Sequence, residues 1–191
     1  MKDIVIQNLE KAYGSKQVLS GFSAVLTAGT VTGLMAPSGG GKTTLLRILM
    51  GLESADGGTV TGLEGIRISA VFQEDRLCPS LTPEDNLLLV SPSLSRETAR
   101  QALRAVGLTD CLSQKTRELS GGMRRRTAIL RALLSDYDLL LLDEPFRGLD
   151  ADTKALVMAD LKARVQGRTV LLVTHDPSEL NCVGAHTCLR L

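Results

Sequence analysis

The sequence has very few aromatic residues and no long apolar segment. It contains no tryptophan, two tyrosines and three phenylalanines among its 191 residues. The longest uninterrupted apolar run, 155–159, has five residues, and 139–142 and 170–173 have four each, whereas a helix that crosses a bilayer needs roughly 20. The first residues alternate between apolar and polar side chains and lack the apolar block of a signal peptide. These absences predict a cytosolic protein that reaches a membrane only through a partner.

Neither sign of charge dominates the chain. There are 22 lysines and arginines against 21 aspartates and glutamates, so the formal net charge is +1. A basic footprint over the whole domain is therefore absent, and we expect no nucleic-acid partner. The hydrophobic share of 43% and the charged share of 23% are ordinary for a globular domain and argue against disorder. The length suits one compact domain with at most a small inserted lobe.

The cysteines form no CxxC pair and no disulfide framework, which suits a reducing compartment. Cys182, His186 and Cys188 lie close together in the sequence and could be read as metal ligands. Three candidate ligands without a fourth do not complete a closed structural zinc site. We therefore interpret Cys78, Cys111, Cys182 and Cys188 as free, partly buried thiols.

Strand-like and helix-like segments alternate along most of the chain. The spacing predicts strands over 4–9, 21–26, 30–35, 66–72, 139–142 and 169–173, and helices over 42–52, 123–134 and 152–166. The pair Gly57-Gly58 is predicted to form a turn. Continuously apolar strands that alternate with helices are typical of an α/β fold with a mainly parallel sheet flanked by helices.

Between residues 77 and 120 the strand-like runs disappear and helical patterns take over. Ser95 is expected to cap a helix that ends before Gly107 and buries Ala99, Ala102, Leu103 and Val106. We interpret this segment as a helical lobe inserted into the α/β core. The prediction is thus a single domain over 1–191, with the core at about 1–76 and 122–191 and the helical subdomain at about 77–121.

A glycine-rich loop, APSGGGKTT at 36–44, lies between a predicted strand and a predicted helix. The backbone N–H groups of Ser38, Gly39, Gly40 and Gly41 are candidates to cradle phosphates, aided by the helix dipole. Lys42 is expected to reach the β- and γ-phosphates, Thr43 to ligate Mg²⁺ and Thr44 to touch the α-phosphate. The alternative is a glycine-rich turn before a helix that binds no ligand.

The loop departs from the GxxxxGK[ST] pattern at its first position, which is Ala36. If that position needs a left-handed backbone, alanine costs about 1 kcal/mol. If it is extended, as the following Pro37 favours, the cost is small.

Polar side chains follow three of the predicted strands. Asp143 and Glu144 end the apolar strand at 139–142, where Asp143 could hold the Mg²⁺ shell through water and Glu144 could polarise an attacking water. His175 follows the strand at 169–173 and could hydrogen-bond a γ-phosphate. Gln73 follows the strand at 66–72 and could offer its amide oxygen to Mg²⁺. Considered singly, these residues also have a purely structural explanation, such as polar residues that cap a strand end or a histidine with a structural role.

The segment LSGGM at 119–123 resembles the signature motif of the ATP-binding subunits of ABC transporters. Gln73, Asp150 and His175 resemble the Q-loop, D-loop and switch histidine of that family, and Tyr13 lies where the family places an aromatic that stacks on adenine. The motifs occur in the family's order and spacing over essentially the whole chain. The resemblance implies a P-loop NTPase core with an N-terminal antiparallel β part and an inserted helical subdomain.

The resemblance also implies partners and an activity. In the family two subunits meet head to tail, and each ATP lies between one subunit's phosphate loop and the other's signature residues, here Ser120, Gly121 and Gly122. The segment 82–90 lies where a membrane permease inserts a coupling helix. The expected activity is Mg²⁺-dependent ATP hydrolysis that powers transport from the cytoplasmic face of the membrane.

The transported compound and the direction are less defined by the sequence. The segments VFQEDRL at 71–77 and THDPSE at 174–179 are similar to importers of nitrate, sulfonate and related solutes, which implies a bacterial importer with an extracytoplasmic solute-binding protein. Its ATPase is either a homodimer or is paired with a sister subunit. The alternatives are a soluble ABC-type ATPase of DNA repair or translation and a P-loop small-molecule kinase, which has no use for the signature motif.

Two departures from the family pattern concern arginines. Arg124, Arg125 and Arg126 follow the signature where the family shows a glutamine amid basic residues. They form either a solvated helix face or extra positive potential beside a partner's nucleotide. Arg147 stands where a smaller residue is usual, and the neighbouring Gly148 is expected to loosen that turn.

Overall fold

The computed structural model describes residues 2–37 and 39–191. Its strands are β1 (Ile4–Tyr13), β2 (Lys16–Leu26), β3 (Val31–Met35), β4 (Gly57–Thr61), β5 (Ile68–Val71), β6 (Leu139–Asp143), β7 (Thr169–Val173) and β8 (Thr187–Arg190). Its helices are α1 (Lys42–Leu49), α2 (Pro83–Leu88), α3 (Arg96–Ala105), α4 (Gly121–Leu134), α5 (Ala151–Arg164) and α6 (Pro177–Val183), with a 3₁₀ turn at Thr116–Glu118.

The strands form two sheets. The larger one is parallel, with the strand order β5-β6-β7-β3-β8. The smaller one is antiparallel, with the order β2-β1-β4. Both the mainly parallel sheet flanked by helices and the antiparallel N-terminal part are confirmed. Because β6, β7 and β3 are parallel neighbours, the chain segments that leave their carboxyl ends emerge side by side.

The apolar strands β6 and β7 serve two hydrophobic clusters at once. Leu140 and Leu142 belong to one cluster, while Leu139 and Leu141 belong to the other, as expected for side chains that alternate between the faces of a sheet. Every residue of β6 is buried. The continuous run of leucines therefore reflects a strand that is covered on both faces.

The helical segment between β5 and α4 packs on the core through one of these clusters. Leu87 and Leu103, both fully buried, share it with Leu140. Within the segment, the buried carboxylate of Glu84 pairs with Arg100 at 2.6 Å and with Arg96 at 2.5 Å, which joins α2 to α3. No helix in the described part of the chain combines the length and apolar content that crossing a bilayer requires.

The cap of α3 agrees with the sequence prediction, whereas the predicted end of α1 does not. Ser95 accepts a hydrogen bond from Thr98 N at 3.0 Å and caps α3 as predicted. Helix α1 stops at Leu49, three residues before the predicted end, and Leu52 lies beyond it with 58% of its surface exposed. The elements α6 and β8 were not predicted, because each is only a few residues long.

The prediction of a turn at Gly57-Gly58 is wrong, since both residues lie in β4. At Gly58, which has φ +81°, an added Cβ would lie 2.3 Å from the carbonyl oxygen of Asn8. The pairing of β1 with β4 also shifts register between Gln7 and Glu10. The glycines thus allow two strands to approach closely at a bulge, which is the other structural use of glycine in a strand.

The interpretation of the cysteines as free thiols is confirmed for all four, but the burial expected of Cys182 and Cys188 is wrong. Cys111 is buried and Cys78 partly so, but Cys182 and Cys188 are exposed. Among residues 2–37 and 39–191 no group of three or more histidine, cysteine or acidic side chains is arranged to hold a metal ion. All four cysteines are free thiols.

Candidate functional site

A cavity of about 940 Å³ lies where the parallel strands β3, β6 and β7 end. The loop at 36–41 leaves β3, Glu144 follows β6, and His175 comes two residues after β7. The fold brings a large share of the predicted site residues into this cavity. Its lining includes Tyr13, Gly39, Gly41, Lys42, Thr43, Thr44, Gln73, Glu144 and His175.

The glycines of the loop are required by its shape. Gly41 caps α1 with φ +85°, and a Cβ there would lie 2.7 Å from the carbonyl oxygen of Val18. A Cβ at Gly40 would come within 3.0 Å of the carbonyl oxygen of Pro37. Ala36 does not adopt a positive φ, so its place in the pattern costs no strain. Ser38 lies outside the described residues, and its predicted role stays a prediction.

Lys42 is folded back onto its own loop. Its Nζ donates a hydrogen bond to the carbonyl oxygen of Ala36 at 2.8 Å and lies 3.4 Å from Oε1 of Glu144. Only 7% of the side chain is exposed. A buried ammonium group needs anionic or carbonyl partners, and a phosphate that enters the cavity can replace both.

Asp143 has an unsatisfied oxygen. Its Oδ2 accepts a hydrogen bond from the Thr43 hydroxyl at 3.1 Å, while its buried Oδ1 has no hydrogen-bond partner among residues 2–37 and 39–191. Burial raises the pKa of Asp143, the charge of Glu144 adds to this, and the hydrogen bond from Thr43 opposes it. A carboxylate, a hydroxyl and an amide oxygen are hard donors of the kind that Mg²⁺ prefers. The donor set and the orphaned oxygen therefore fit a magnesium ion with its water shell.

Glu144 is held in a strained backbone conformation. It has φ +46°, and its N–H donates to the carbonyl oxygen of Val173 at 2.9 Å. Its carboxylate lies between Lys42, at 3.4 Å, and Nδ1 of His175, at 3.7 Å. A left-handed conformation is costly for a residue with a side chain, and it clusters at functional sites. The turn therefore aims one carboxylate into the cavity.

Tyr13 and His175 stand at the edge of the cavity. The tyrosine is 49% exposed, its hydroxyl bonds to the carboxylate of Glu53, and Lys11 lies 5.6 Å from the centre of its ring. The side chain of His175 is 70% exposed. Both can meet a ligand without leaving a packed core.

The predicted signature residues lie apart from this cavity. Ser120 caps α4 by accepting a hydrogen bond from Met123 N at 3.3 Å, and Gly121 and Gly122 form the first turn of that helix. The two glycines line a second cavity of about 320 Å³ instead. Asp150 caps α5 and accepts from Thr153 N at 2.9 Å, which lowers its pKa. Ser120 and Asp150 line neither cavity.

Arg125 fits neither of the two roles predicted for the arginine run, a solvated helix face or positive potential beside a partner's nucleotide. Only 5% of this residue is exposed, and its guanidinium donates hydrogen bonds to backbone carbonyls of Asp143, Glu144 and Pro145 at 2.8–2.9 Å. It is therefore not part of a solvated face, and its donors point inward rather than toward a partner. Arg124 donates to the carbonyl oxygen of Leu119 at 2.6 Å, and Arg126 to that of Val106 at 2.7 Å.

Sequence reasoning missed three residues that line the main cavity, namely Lys16, Val18 and Arg147. Arg147 also lines the second cavity, so it lies between the phosphate loop and the signature residues. Its position three residues after Glu144 was a usable signal. Lys16 and Val18 had none, because only the pairing of β1 with β2 brings them to the loop.

Comparison with known proteins reveals extensive similarity. A family model described as ABC transporter matches residues 19–147. An aliphatic sulfonates import ATP-binding protein of Rhodococcus jostii is 44% identical over 92% of this chain and 66% of its own length. A protein of the same description from Corynebacterium glutamicum is 40% identical over 96% of this chain and 78% of its own. A Nod factor export ATP-binding protein of Burkholderia orbicola is 36% identical over 97% and 67%. The chain thus spans about two thirds to four fifths of these relatives.

Proposed function

The chain belongs to the ABC transporter family, and from this premise we propose that it is an ATPase that powers solute transport through membrane permease subunits. The observation that carries the proposal is the position of Glu144. Its carboxylate lies between Lys42 and His175, beside the orphaned oxygen of Asp143 and the glycine loop. Such an arrangement suits the hydrolysis of a triphosphate.

ATP binding uses the glycine loop and the aromatic edge of the cavity. Backbone N–H groups of Ser38, Gly39, Gly40 and Gly41 cradle the phosphates at the start of α1. Lys42 exchanges its contacts with Ala36 and Glu144 for the β- and γ-phosphates, and Thr44 touches the α-phosphate. Tyr13 stacks on the adenine, which its exposed ring permits.

Thr43, Gln73 and Asp143 would hold the magnesium ion, which supplies positive charge beside the β- and γ-phosphates. Glu144 acts as the general base that polarises the attacking water. Its contact with Lys42 is lost when the ammonium turns to phosphate, which frees the carboxylate for the water. His175 hydrogen-bonds the γ-phosphate from the other side of Glu144.

A second ATPase subunit completes the site. Ser120, Gly121 and Gly122 begin α4 outside the main cavity, where their N–H groups and hydroxyl form a second anion site. This position supports a head-to-tail pair, as a homodimer or with a sister subunit, in which the signature of one copy meets the nucleotide of the other. Asp150 contributes to communication across that pair.

Import is the direction that more of the cited relatives support, since two are named as import proteins and one as an export protein. The chain then acts at the cytoplasmic face of the membrane with permease subunits and an extracytoplasmic solute-binding protein. The segment 82–90 is the permease contact, and Leu89 and Val90 expose 56% and 37% of their surfaces there. The helical subdomain at about 77–121 carries that contact.

The proposal is tested with Glu144→Gln, which keeps the shape of the side chain and removes the base. Hydrolysis should fall about 10²- to 10⁴-fold, while ATP with Mg²⁺ should convert the variant into a dimer on a sizing column. Glu64→Gln makes the same charge change at an exposed position outside both cavities and should behave as wild type.

Three outcomes would contradict the proposal. A Glu144→Gln chain that stays monomeric at saturating ATP argues against the paired site. Transfer of the γ-phosphate to an acceptor other than water indicates a kinase. Failure to co-purify with a polytopic membrane protein from the native host favours a soluble ATPase of DNA repair or translation.

A further inference from the structure

Arg125 connects three parts of the site through one buried guanidinium. Its Nε donates to the carbonyl oxygen of Pro145 at 2.8 Å, and its Nη2 donates to those of Asp143, at 2.9 Å, and Glu144, at 2.8 Å. Its Nη1 bonds to the carbonyl oxygen of Phe72 and lies 3.3 Å from Oδ1 of Asp75. The donors thus reach the turn after β6 and the segment around Gln73 from helix α4.

These contacts fall on a backbone that needs support. Glu144 has φ +46°, a conformation that persists only where its surroundings hold it. The peptide N–H of Glu144 donates to the carbonyl oxygen of Val173, and its own carbonyl oxygen accepts from Arg125 at 2.8 Å and from the N–H of Arg147 at 3.2 Å. If that carbonyl turned away, the backbone would leave the left-handed region and the carboxylate would leave its place between Lys42 and His175.

The chemistry of the side chain suits this role. A planar guanidinium presents five N–H donors in a fixed geometry, so it can satisfy several carbonyls at once. A glutamine at this position would offer only two donors on a shorter side chain. Burial lowers the pKa of Arg125, and the carboxylates of Asp75, Asp143 and Glu144 oppose that effect.

We propose that Arg125 is a positioning residue for ATP hydrolysis. It holds the Glu144 turn in its productive conformation and ties that turn and the Gln73 segment to the helix that begins with Ser120. A movement of α4 on contact with a second subunit is therefore transmitted through Arg125 to the backbone of Glu144. This inference rests on the proposed function, because it assigns a task within the same site.

The test compares Arg125→Met and Arg125→Gln with the matched control Arg126→Gln. Arg126 is the next residue of α4, and its guanidinium bonds to carbonyls of Val106, Gly107 and Gly122 rather than to the Glu144 turn or the Gln73 segment. We expect kcat to fall at least about tenfold in Arg125→Met and by less in Arg125→Gln. The KM for ATP and the Kd of a fluorescent ATP analogue should stay within about twofold of wild type, as should all three constants in Arg126→Gln.

A second measurement does not depend on hydrolysis. Amide hydrogen exchange of the nucleotide-free protein should become faster in peptides that cover 72–76 and 143–149 in the Arg125 variants, with little change in α5 and β7. Asp75→Asn weakens the ion pair between Arg125 and Asp75 by changing Asp75, whose side chain is 21% exposed. It provides a milder variant if Arg125→Met does not fold. It should show the same pattern with a smaller fall in kcat.

The outcomes separate the two proposals. A wild-type chain that binds ATP without hydrolysing it defeats the proposed function, and the exchange experiment still reports on Arg125. Wild-type kcat and unchanged exchange in both Arg125 variants would overturn the positioning role and leave the ATPase intact. Parallel losses of kcat, ATP affinity and protection over the whole chain would show a general structural role and would also overturn it.

Discussion

A single buried carboxylate gives the site a measurable dependence on pH. Burial raises the pKa of Asp143 above its ordinary value of 3.8. The folded chain therefore binds more protons than the unfolded chain between 3.8 and the raised pKa. Because stability falls with pH wherever the folded state binds more protons, this group destabilises the nucleotide-free protein as pH rises through that window.

Asp143→Asn should remove this effect. At neutral pH we expect a higher midpoint of thermal unfolding for the nucleotide-free variant than for wild type, with a weaker decline of the midpoint as pH rises. We also expect ATP with Mg²⁺ to stabilise the variant much less, because a proposed magnesium ligand has lost its charge. Thermal scans over a pH series, with and without Mg²⁺-ATP, measure both. A lower midpoint in the nucleotide-free variant would contradict the argument, and exposed Asp110→Asn serves as the control.

Two helices that begin with the same kind of cap allow stability and function to be separated. Ser95 accepts from Thr98 N at the start of α3, and Ser120 accepts from Met123 N at the start of α4. Each cap satisfies one backbone donor that the helix itself cannot satisfy. Only Ser120 is proposed to meet the nucleotide of a second subunit.

Ser95→Ala and Ser120→Ala should therefore have similar effects on folding and different effects on assembly. Each should lower the free energy of unfolding by about 1 kcal/mol, as measured by denaturant titration. In the Glu144→Gln background, Ser120→Ala should also raise the ATP concentration needed for dimerisation, whereas Ser95→Ala should leave it unchanged. Equal dimerisation of the two double variants would argue against a role of Ser120 at the nucleotide.

At the scale of the whole molecule, the helical segment and the sheet share one hydrophobic cluster. Leu103 of α3 and Leu140 of β6 both belong to it and are fully buried. A shared core favours cooperative unfolding of both parts. The division into a core at about 1–76 and 122–191 and a subdomain at about 77–121 remains a prediction about organisation.

Leu103→Ala should lower the free energy of unfolding of the whole chain by about 2–5 kcal/mol, because it opens a cavity in the shared cluster. Circular dichroism and the protection of β7 amides against hydrogen exchange should report the same loss. Leu89→Ala removes the same number of atoms at a position that is 56% exposed, and its free energy should stay within about 0.5 kcal/mol of wild type. A loss confined to α2 and α3 would instead indicate a lobe that unfolds on its own.

Local spacing was sufficient for much of the fold and part of the site. The strand at 169–173 is β7 as predicted. Helix α3 begins after Ser95 and ends before Gly107, also as predicted. Lys42, Thr43, Glu144 and His175 come together in one cavity because each lies just after a parallel strand or at the start of the helix that follows one. Neighbouring parallel strands bring such positions together whatever the rest of the chain does.

The residues that could not be placed in advance depend on contacts between distant segments. Gly57 and Gly58 lie in a strand because β1 approaches them closely, and Lys16 enters the cavity through the same small sheet. Arg125 looks like a surface charge within an arginine run, yet it is buried against carbonyls 18 to 20 positions later in the chain. The amino-acid sequence alone sets which functional side chains follow each strand and in what order, because local backbone preferences decide where strands and helices end. Burial and hydrogen-bond partners emerge from packing, because no local pattern specifies which carbonyls a side chain will meet.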